Sequence, residues 1–147
     1  MPENTTTPTP TPAANLTPAE KLTLQTAAHG VVALMAAADP GPISSTRSGM
    51  AGGKALSTAT GLVGHVLAEK VKGLELGGSS TADLADHTFA ALTASVTLLK
   101  AKAPGEAENF RATIATITDA ASRAHKGAAG PAETAMIQKI TAALDNA

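Results

Sequence analysis

The sequence predicts an all-α fold, a single bundle of about five helices behind a disordered N-terminal tail. Alanine and threonine dominate the composition, with 33 and 20 of the 147 residues, and only two residues, both Phe, are aromatic. Alanine is the strongest helix former and leaves little side chain between packed backbones. Helix-start and helix-stop residues recur along the chain, and no alternating apolar and polar run long enough for a β-strand occurs.

The N-terminal segment alternates threonine with proline over residues 7–12. Proline lacks a backbone donor and restricts the residue before it, so we expect an extended, disordered tail. This divides the chain into a tail of residues 1–16 and a helical domain of residues 17–147. We interpret the tail as a solubilising segment, with a docking segment as the alternative.

The first predicted helix has clear signals at both ends. Thr17 suits the N-cap, Pro18 suits the first helical position and Glu20 completes a capping box. Prolines at 40 and 42 stop the helix after about Ala38. Its main apolar face comprises Leu24, Val31, Leu34 and Met35.

A second helical region spans about Ser45 to Lys72, with apolar residues at 3.6-residue spacing. Its glycines each cost roughly 1 kcal/mol relative to alanine in a helix interior. We therefore predict a break or kink, either at Gly52–Gly53 or at Gly61. The glycines are also compatible with close helix crossing.

Part of this region, residues 48–55, partly matches a phosphate-binding loop. That loop needs a glycine, four residues, and then Gly-Lys followed by Ser or Thr. Here Ser48 replaces the first glycine and Ala55 removes the hydroxyl that would reach magnesium. We therefore interpret the glycines as packing positions.

Three further helices complete the predicted bundle. One begins near Ser80 and ends before Pro104, the next runs from Pro104 to a flexible joint at Gly127–Gly130, and the last opens with Pro131. Their predicted core residues are Leu84, Phe89, Leu92, Val96, Leu99, Phe110, Ile114, Ile117, Ala121, Met136, Ile137, Ile140 and Leu144.

Composition disfavours several classes of function. The net charge is −1 and aromatic residues make up 1%, which argues against nucleic-acid binding. There is no cysteine for a disulfide or a thiolate site. No secretory signal precedes the helices, and no apolar stretch approaches the roughly 18 residues of a membrane helix. We expect a cytoplasmic protein with no membrane or nucleic-acid partner and no cofactor.

Two carboxylate–histidine pairs have i, i+4 spacing: His65 with Glu69, and Asp83 with His87. Facing helices that each present such a pair can bind a divalent metal. On a helical wheel both histidines lie well away from the apolar faces, so we expect them to face water. A divalent-metal or small-ligand site at these pairs, or near Asp39, is the alternative to a non-catalytic binding or interaction module.

No catalytic signature is present, and we assign no catalytic residue. His29 lies among alanines opposite the apolar face of the first helix, where we expect it to be partly buried. His125 closes the fourth helix, where a cation favours the helix dipole. An enzyme is therefore the less favoured class.

Threonines replace charges on the predicted outer faces of the third and fourth helices, at Thr93, Thr97, Thr113 and Thr116. One interpretation is a surface of low charge from a biased composition. The other is a weakly hydrated face that packs on a protein partner or on another copy of the chain. We predict a non-catalytic helical module for binding or interaction, with self-association as one form.

Two segments resemble those of known proteins. Residues 36–43 and 102–110 resemble a group of small, uncharacterised bacterial helical proteins, which implies a helical fold over residues 17–146. The Ala-rich first helix that ends at an acidic residue also resembles tellurite-resistance-type helical domains. Those domains carry an Asp-Gly turn and further carboxylates thought to bind metal. Here Pro40 follows Asp39 and the next charged residue is Arg47, so the resemblance departs at the implied metal site.

Overall fold

The computed structural model describes residues 16–39, 41–69, 80–124 and 130–147. Over these residues it contains six helices and no strand, which confirms the all-α prediction. The helices are α1 (Pro18–Ala38), α2 (Pro42–Leu56), α3 (Gly61–Ala68), α4 (Thr81–Lys102), α5 (Pro104–Arg123) and α6 (Pro131–Asp145). The predicted joint near Gly127 and the predicted tail up to residue 15 lie outside the described residues.

Helix α1 is the centre of the bundle and contacts each of the other five helices. Its predicted apolar face is fully buried at Leu24, Val31, Leu34 and Met35. The capping box is also confirmed: the Thr17 hydroxyl accepts from the Glu20 N–H at 3.1 Å, and the Glu20 carboxylate accepts from the Thr17 N–H at 2.8 Å.

One residue that the prediction places in the tail is packed. Leu16, predicted as part of the tail, is only 5% exposed and belongs to the hydrophobic core. The residue directly before the N-cap therefore contributes to core packing.

The predicted second helix is two helices, which explains why six are found instead of five. The break falls at the second of the two predicted positions, because Gly61 has a φ of +70° that L-amino acids rarely adopt. Before it, the hydroxyls of Ser57 and Thr58 donate to carbonyls of the last turn of α2 at 2.7 Å. The chain leaves α2 there and becomes helical again at Gly61.

The short helix α3 is held at both ends by side chains from other helices. At its start, the Glu106 carboxylate of α5 accepts from the Val63 N–H at 3.2 Å, and Asn109 donates to the Thr60 carbonyl at 2.8 Å. At its end, the buried Gln25 amide of α1 donates to the Val66 carbonyl at 3.0 Å. The Glu106 contact satisfies a backbone N–H that an isolated helix start leaves unpaired. The contacts from Asn109 and Gln25 add a second donor to carbonyls that also accept a backbone hydrogen bond.

Small residues let α2 lie close to α1 and α5. A methyl group added at Gly52 would touch Val32 of α1 and Ile117 of α5, at 3.5 and 3.6 Å. The Ser48 hydroxyl, fully buried, lies 3.0 Å from the Ala121 carbonyl of α5. Residues 48–55 thus form part of a continuous, packed helix, and no break occurs at Gly52–Gly53.

Candidate functional site

An open groove of about 1060 Å³ runs along the outer face of α4. Its floor consists of four small residues: Ala90, Ala94, Thr97 and Ala101. At 100° per residue these positions fall within an arc of about 60° on the helix. All four are exposed, and over the described residues no other helix covers them. The groove therefore lies over the part of α4 where the exposed side chains are short.

One wall of the groove is built by α6. The Thr93 hydroxyl of α4 donates to the Ala143 carbonyl of α6 at 2.7 Å, so its polar atom is engaged within the fold. Phe89 lines the same side of the groove on α4, and Lys139 and Asn146 line it on α6. The result is a surface that is mainly apolar below and polar at its rim.

The opposite wall is closed by a salt bridge between α4 and α1. Lys102 lies 2.7 Å from the Glu20 carboxylate, and Leu98 lines the wall beside it. The pKa of Glu20 lies below its ordinary value, first because Lys102 donates a hydrogen bond to its carboxylate and next because the Thr17 N–H does so. The carboxylate at this rim is therefore held in its charged form.

The residues of the alternative metal site lie outside the groove, in different parts of the fold. His65 is exposed on α3, and Glu69 follows α3 and pairs with Lys21 of α1 at 3.3 Å. Asp83 and His87 are exposed at the start of α4. In the parts of the chain that the structure describes, no three His, Cys, Asp or Glu residues group closely enough to hold a metal ion.

Asp39, the fifth residue of that alternative, is buried between the ends of α1 and α2. Its carboxylate accepts from the Gly41 N–H at 3.0 Å and from the Ser48 hydroxyl at 3.2 Å. The side chain thereby stabilises the turn between the two helices, which gives it a structural role.

His29 is partly buried, as predicted, and its enclosed Nε2 has no hydrogen-bond partner among the residues that the structure describes. Burial lowers its pKa below the usual 6.5, because the charged imidazolium loses hydration. His125 lies outside the described residues.

The outer threonines divide between exposed and buried positions. Thr97 and Thr116 are exposed and Thr93 is half-buried, whereas Thr113, predicted on the outer face, is 6% exposed. The Thr113 hydroxyl donates to the Asn109 carbonyl one turn earlier, which lets its methyl group pack inward. Of these threonines, Thr93 and Thr97 on α4 line the groove.

Sequence reasoning did not anticipate the burial of Glu133 in the first turn of α6. This residue is 2% exposed; one carboxylate oxygen accepts from the Ser122 hydroxyl at 3.3 Å, and the other has no hydrogen-bond partner within the described part of the chain. The only signal in the sequence for Glu133 is its place in the first turn of a helix, where an acidic side chain interacts favourably with the helix dipole.

Comparison with protein-family models, curated proteins and solved structures finds no match to this chain. The resemblance of residues 36–43 and 102–110 to bacterial helical proteins stays a prediction. Among the helices that the structure describes, none combines the length and apolarity needed to cross a bilayer.

Proposed function

We propose that this protein is a non-catalytic interaction module that binds a helix of another polypeptide along the α4 groove. The observation that supports this is the groove itself, an exposed floor of Ala90, Ala94, Thr97 and Ala101 between two walls. A cytoplasmic location belongs to the same proposal.

The dimensions of the groove match a helix as occupant. From Ala90 to Ala101 the floor extends about 17 Å, since an α-helix rises 1.5 Å per residue. This length corresponds to about three helical turns. Amphipathic helices that bind in grooves use anchors at i, i+3 or i+4 and i+7, which span about 10 Å, so the floor is long enough for such a set.

The chemistry of the groove also suits a protein interface. Interfaces have cores depleted in charged residues and rims that are polar. Here the floor is alanine and threonine, while Glu20, Lys102 and Lys139 stand at the edges. Alanines on the floor let a second helix approach closely and bury its own larger side chains against Phe89 and Leu98.

Photo-crosslinking in cells tests this proposal on the full chain. A benzophenone amino acid replaces Thr97 on the floor, and in a matched control it replaces Thr134, an exposed threonine of α6 outside the groove. We expect a crosslinked polypeptide with the Thr97 probe and at least tenfold less with the Thr134 probe. Equal yields from the two sites, or none from either, would contradict the proposal.

The alternative function is a divalent-metal or small-ligand protein. Elemental analysis of the purified chain, with His65→Ala/His87→Ala as the comparison, tests the metal. A bound metal whose stabilising effect on unfolding is lost in that variant would replace the interaction proposal with the alternative.

A further inference from the structure

We infer that the occupant of the groove is a second copy of this chain, with the two α4 helices antiparallel across a two-fold axis. This inference rests on the proposed function and names its partner. It is supported by the spacing of exposed residues on α4 and by the charges at the two ends of that helix.

Six exposed residues of α4 form a seam with a period of 3.5 residues: they lie at 83, 87, 90, 94, 97 and 101, so the intervals alternate between four and three. The other exposed positions of α4, at 81, 82, 86, 100 and 102, lie beside the seam near the two ends of the helix. The spacing of the seam is that by which one helix contacts another along a supercoiled pair. The seam therefore has the spacing that a paired helix requires, and no described helix of this chain covers its central part.

The seam is also its own complement when it is reversed. The outer positions 83 and 101, the next pair 87 and 97, and the inner pair 90 and 94 share one midpoint, at Leu92. An antiparallel copy centred there faces each seam position with another seam position. Isologous dimers require this self-complementarity, because both subunits present the same patch.

Charges at the ends of α4 select the antiparallel arrangement and its register. Asp83 and Asp86 lie near its start, and Lys100 and Lys102 lie at its end, all four exposed. In the register centred on Leu92, Asp83 of one copy lies opposite the Lys100–Lys102 segment of the second copy. A parallel pair would place acid beside acid, and shifting the midpoint by half a heptad toward the C-terminus would carry Asp83 past the end of the facing helix.

Within one chain, Lys100 and Lys102 already have partners, and these partners lie at the same end of the groove as the lysines. Lys102 pairs with Glu20, and the Lys100 ammonium donates to the Ala147 carbonyl at 2.9 Å. Exposed ion pairs contribute little affinity and mainly determine orientation and register. The same charges also stabilise the dipole of α4, so the decisive test concerns the register.

Single-cysteine variants measure the register directly, because the natural chain contains no cysteine. In the inferred dimer Ala90 faces Ala94 of the second copy, whereas two Ala90 residues are offset by four positions, about 6 Å along the axis. Disulfides do not bridge Cα atoms more than about 7 Å apart. We expect an oxidised mixture of full-length Ala90→Cys and Ala94→Cys to give at least tenfold more linked dimer than either variant alone.

A second mixture serves as the register control. Ala94→Cys with Thr97→Cys should link poorly, since these positions are separated by seven residues along the axis in the inferred dimer. Efficient linkage of that pair would overturn the register, and abundant self-linkage of either single variant would overturn the antiparallel arrangement. Circular dichroism of each variant establishes that it is folded.

Light scattering tests association without any crosslink. At about 1 mM the natural chain should approach twice its mass of 14.5 kDa. Ala94→Arg should weaken association at least tenfold, and Ala115→Arg, an exposed alanine of α5, should leave it unchanged. A natural chain that stays monomeric and forms no Ala90–Ala94 link overturns the inference.

The photo-crosslinking result with the probe at Thr97 distinguishes the proposed interaction module from the inferred second copy. If it captures a different polypeptide while the purified chain is monomeric, the second copy is wrong and the interaction module stands. If its adduct maps to residues 1–15 of the same chain, the chain's own tail is the occupant and both proposals fail. Capture of nothing by the probe also contradicts both.

Discussion

The two faces of α4 contrast sharply. On the inner face, Thr88 packs so closely against Gly30 of α1 that a methyl group at Gly30 would collide with the threonine side chain, 2.8 Å from its Cγ2. On the outer face, Ala90 and Ala94 border a groove of about 1060 Å³. Small residues occur on both faces of α4, but among the described helices a neighbour packs closely against them only on the inner face. Small side chains alone therefore do not indicate packing within the chain.

The largest expected effect belongs to the inner face. Leu92 is fully buried, so Leu92→Ala removes core contacts and leaves a cavity. We expect the free energy of unfolding to fall by about 2–5 kcal/mol in urea denaturation. Leu98→Ala, at the half-buried wall of the groove, is the matched control and should cost clearly less. Equal losses would mean that the two faces are packed alike.

The close contact between α1 and α4 predicts the next effect. Gly30→Ala should lower the free energy of unfolding by about 1–3 kcal/mol, because Thr88 must move. Adding Thr88→Ala should recover part of the loss, since only its Cβ, 3.0 Å away, then remains close. Gly53→Ala, with nothing within 4 Å of the new methyl group, is the control and should raise stability by up to about 1 kcal/mol. An unchanged stability for Gly30→Ala would show that the crossing is looser than the structure has it.

A smaller effect concerns pH and His29, the neighbour of Gly30 on α1. Burial lowers the pKa of His29 from 6.5, so the folded state binds this proton less readily than the unfolded state. Its contribution to stability is therefore complete above about pH 6.5 and declines as the pH falls toward the lowered pKa. Urea titrations between about pH 7 and 5 measure this slope, and His29→Gln should flatten it. The carboxyl of Glu20 does not interfere, because its pKa lies below 4.5.

The smallest effect is expected on the outer face. Ala94→Arg should change the free energy of unfolding by no more than about 0.5 kcal/mol at low micromolar concentration, because the side chain extends into the groove. Thermal unfolding followed by circular dichroism measures this. A loss above about 1 kcal/mol would mean that the floor of the groove is covered within the single chain.

Local signals made the helix boundaries predictable. Thr17 with Glu20, and Ser80 before Asp83, lie within three residues of one another, and both caps are present in the structure. Long-range packing was not predictable in this way. The buried Leu16 and the buried Thr113 depend on helices that are distant in sequence, and the periodicity of their own segments does not indicate these neighbours.

The candidate site was predicted in part. Thr93 and Thr97 belong to the threonines for which a weakly hydrated outer face is one of two interpretations, and both line the groove. The regular spacing from Ala90 to Ala101 was present in the sequence, but the walls contributed by α6 and by Glu20 of α1 arise only when the bundle is assembled. A stripe of small residues becomes recognisable as a groove once its borders are known.

The anchoring of α3 at both ends has a consequence for how the molecule opens. A helix of eight residues is too short to persist alone in water. Because Gln25 and Glu106 hold its two termini, α3 is ordered only while α1 and α5 stand at their native separation. The amide protons of α3 should therefore exchange with deuterium as one unit. Their protection reports whether α1 and α5 keep their native spacing, although α3 is not directly linked in the chain to either of these helices.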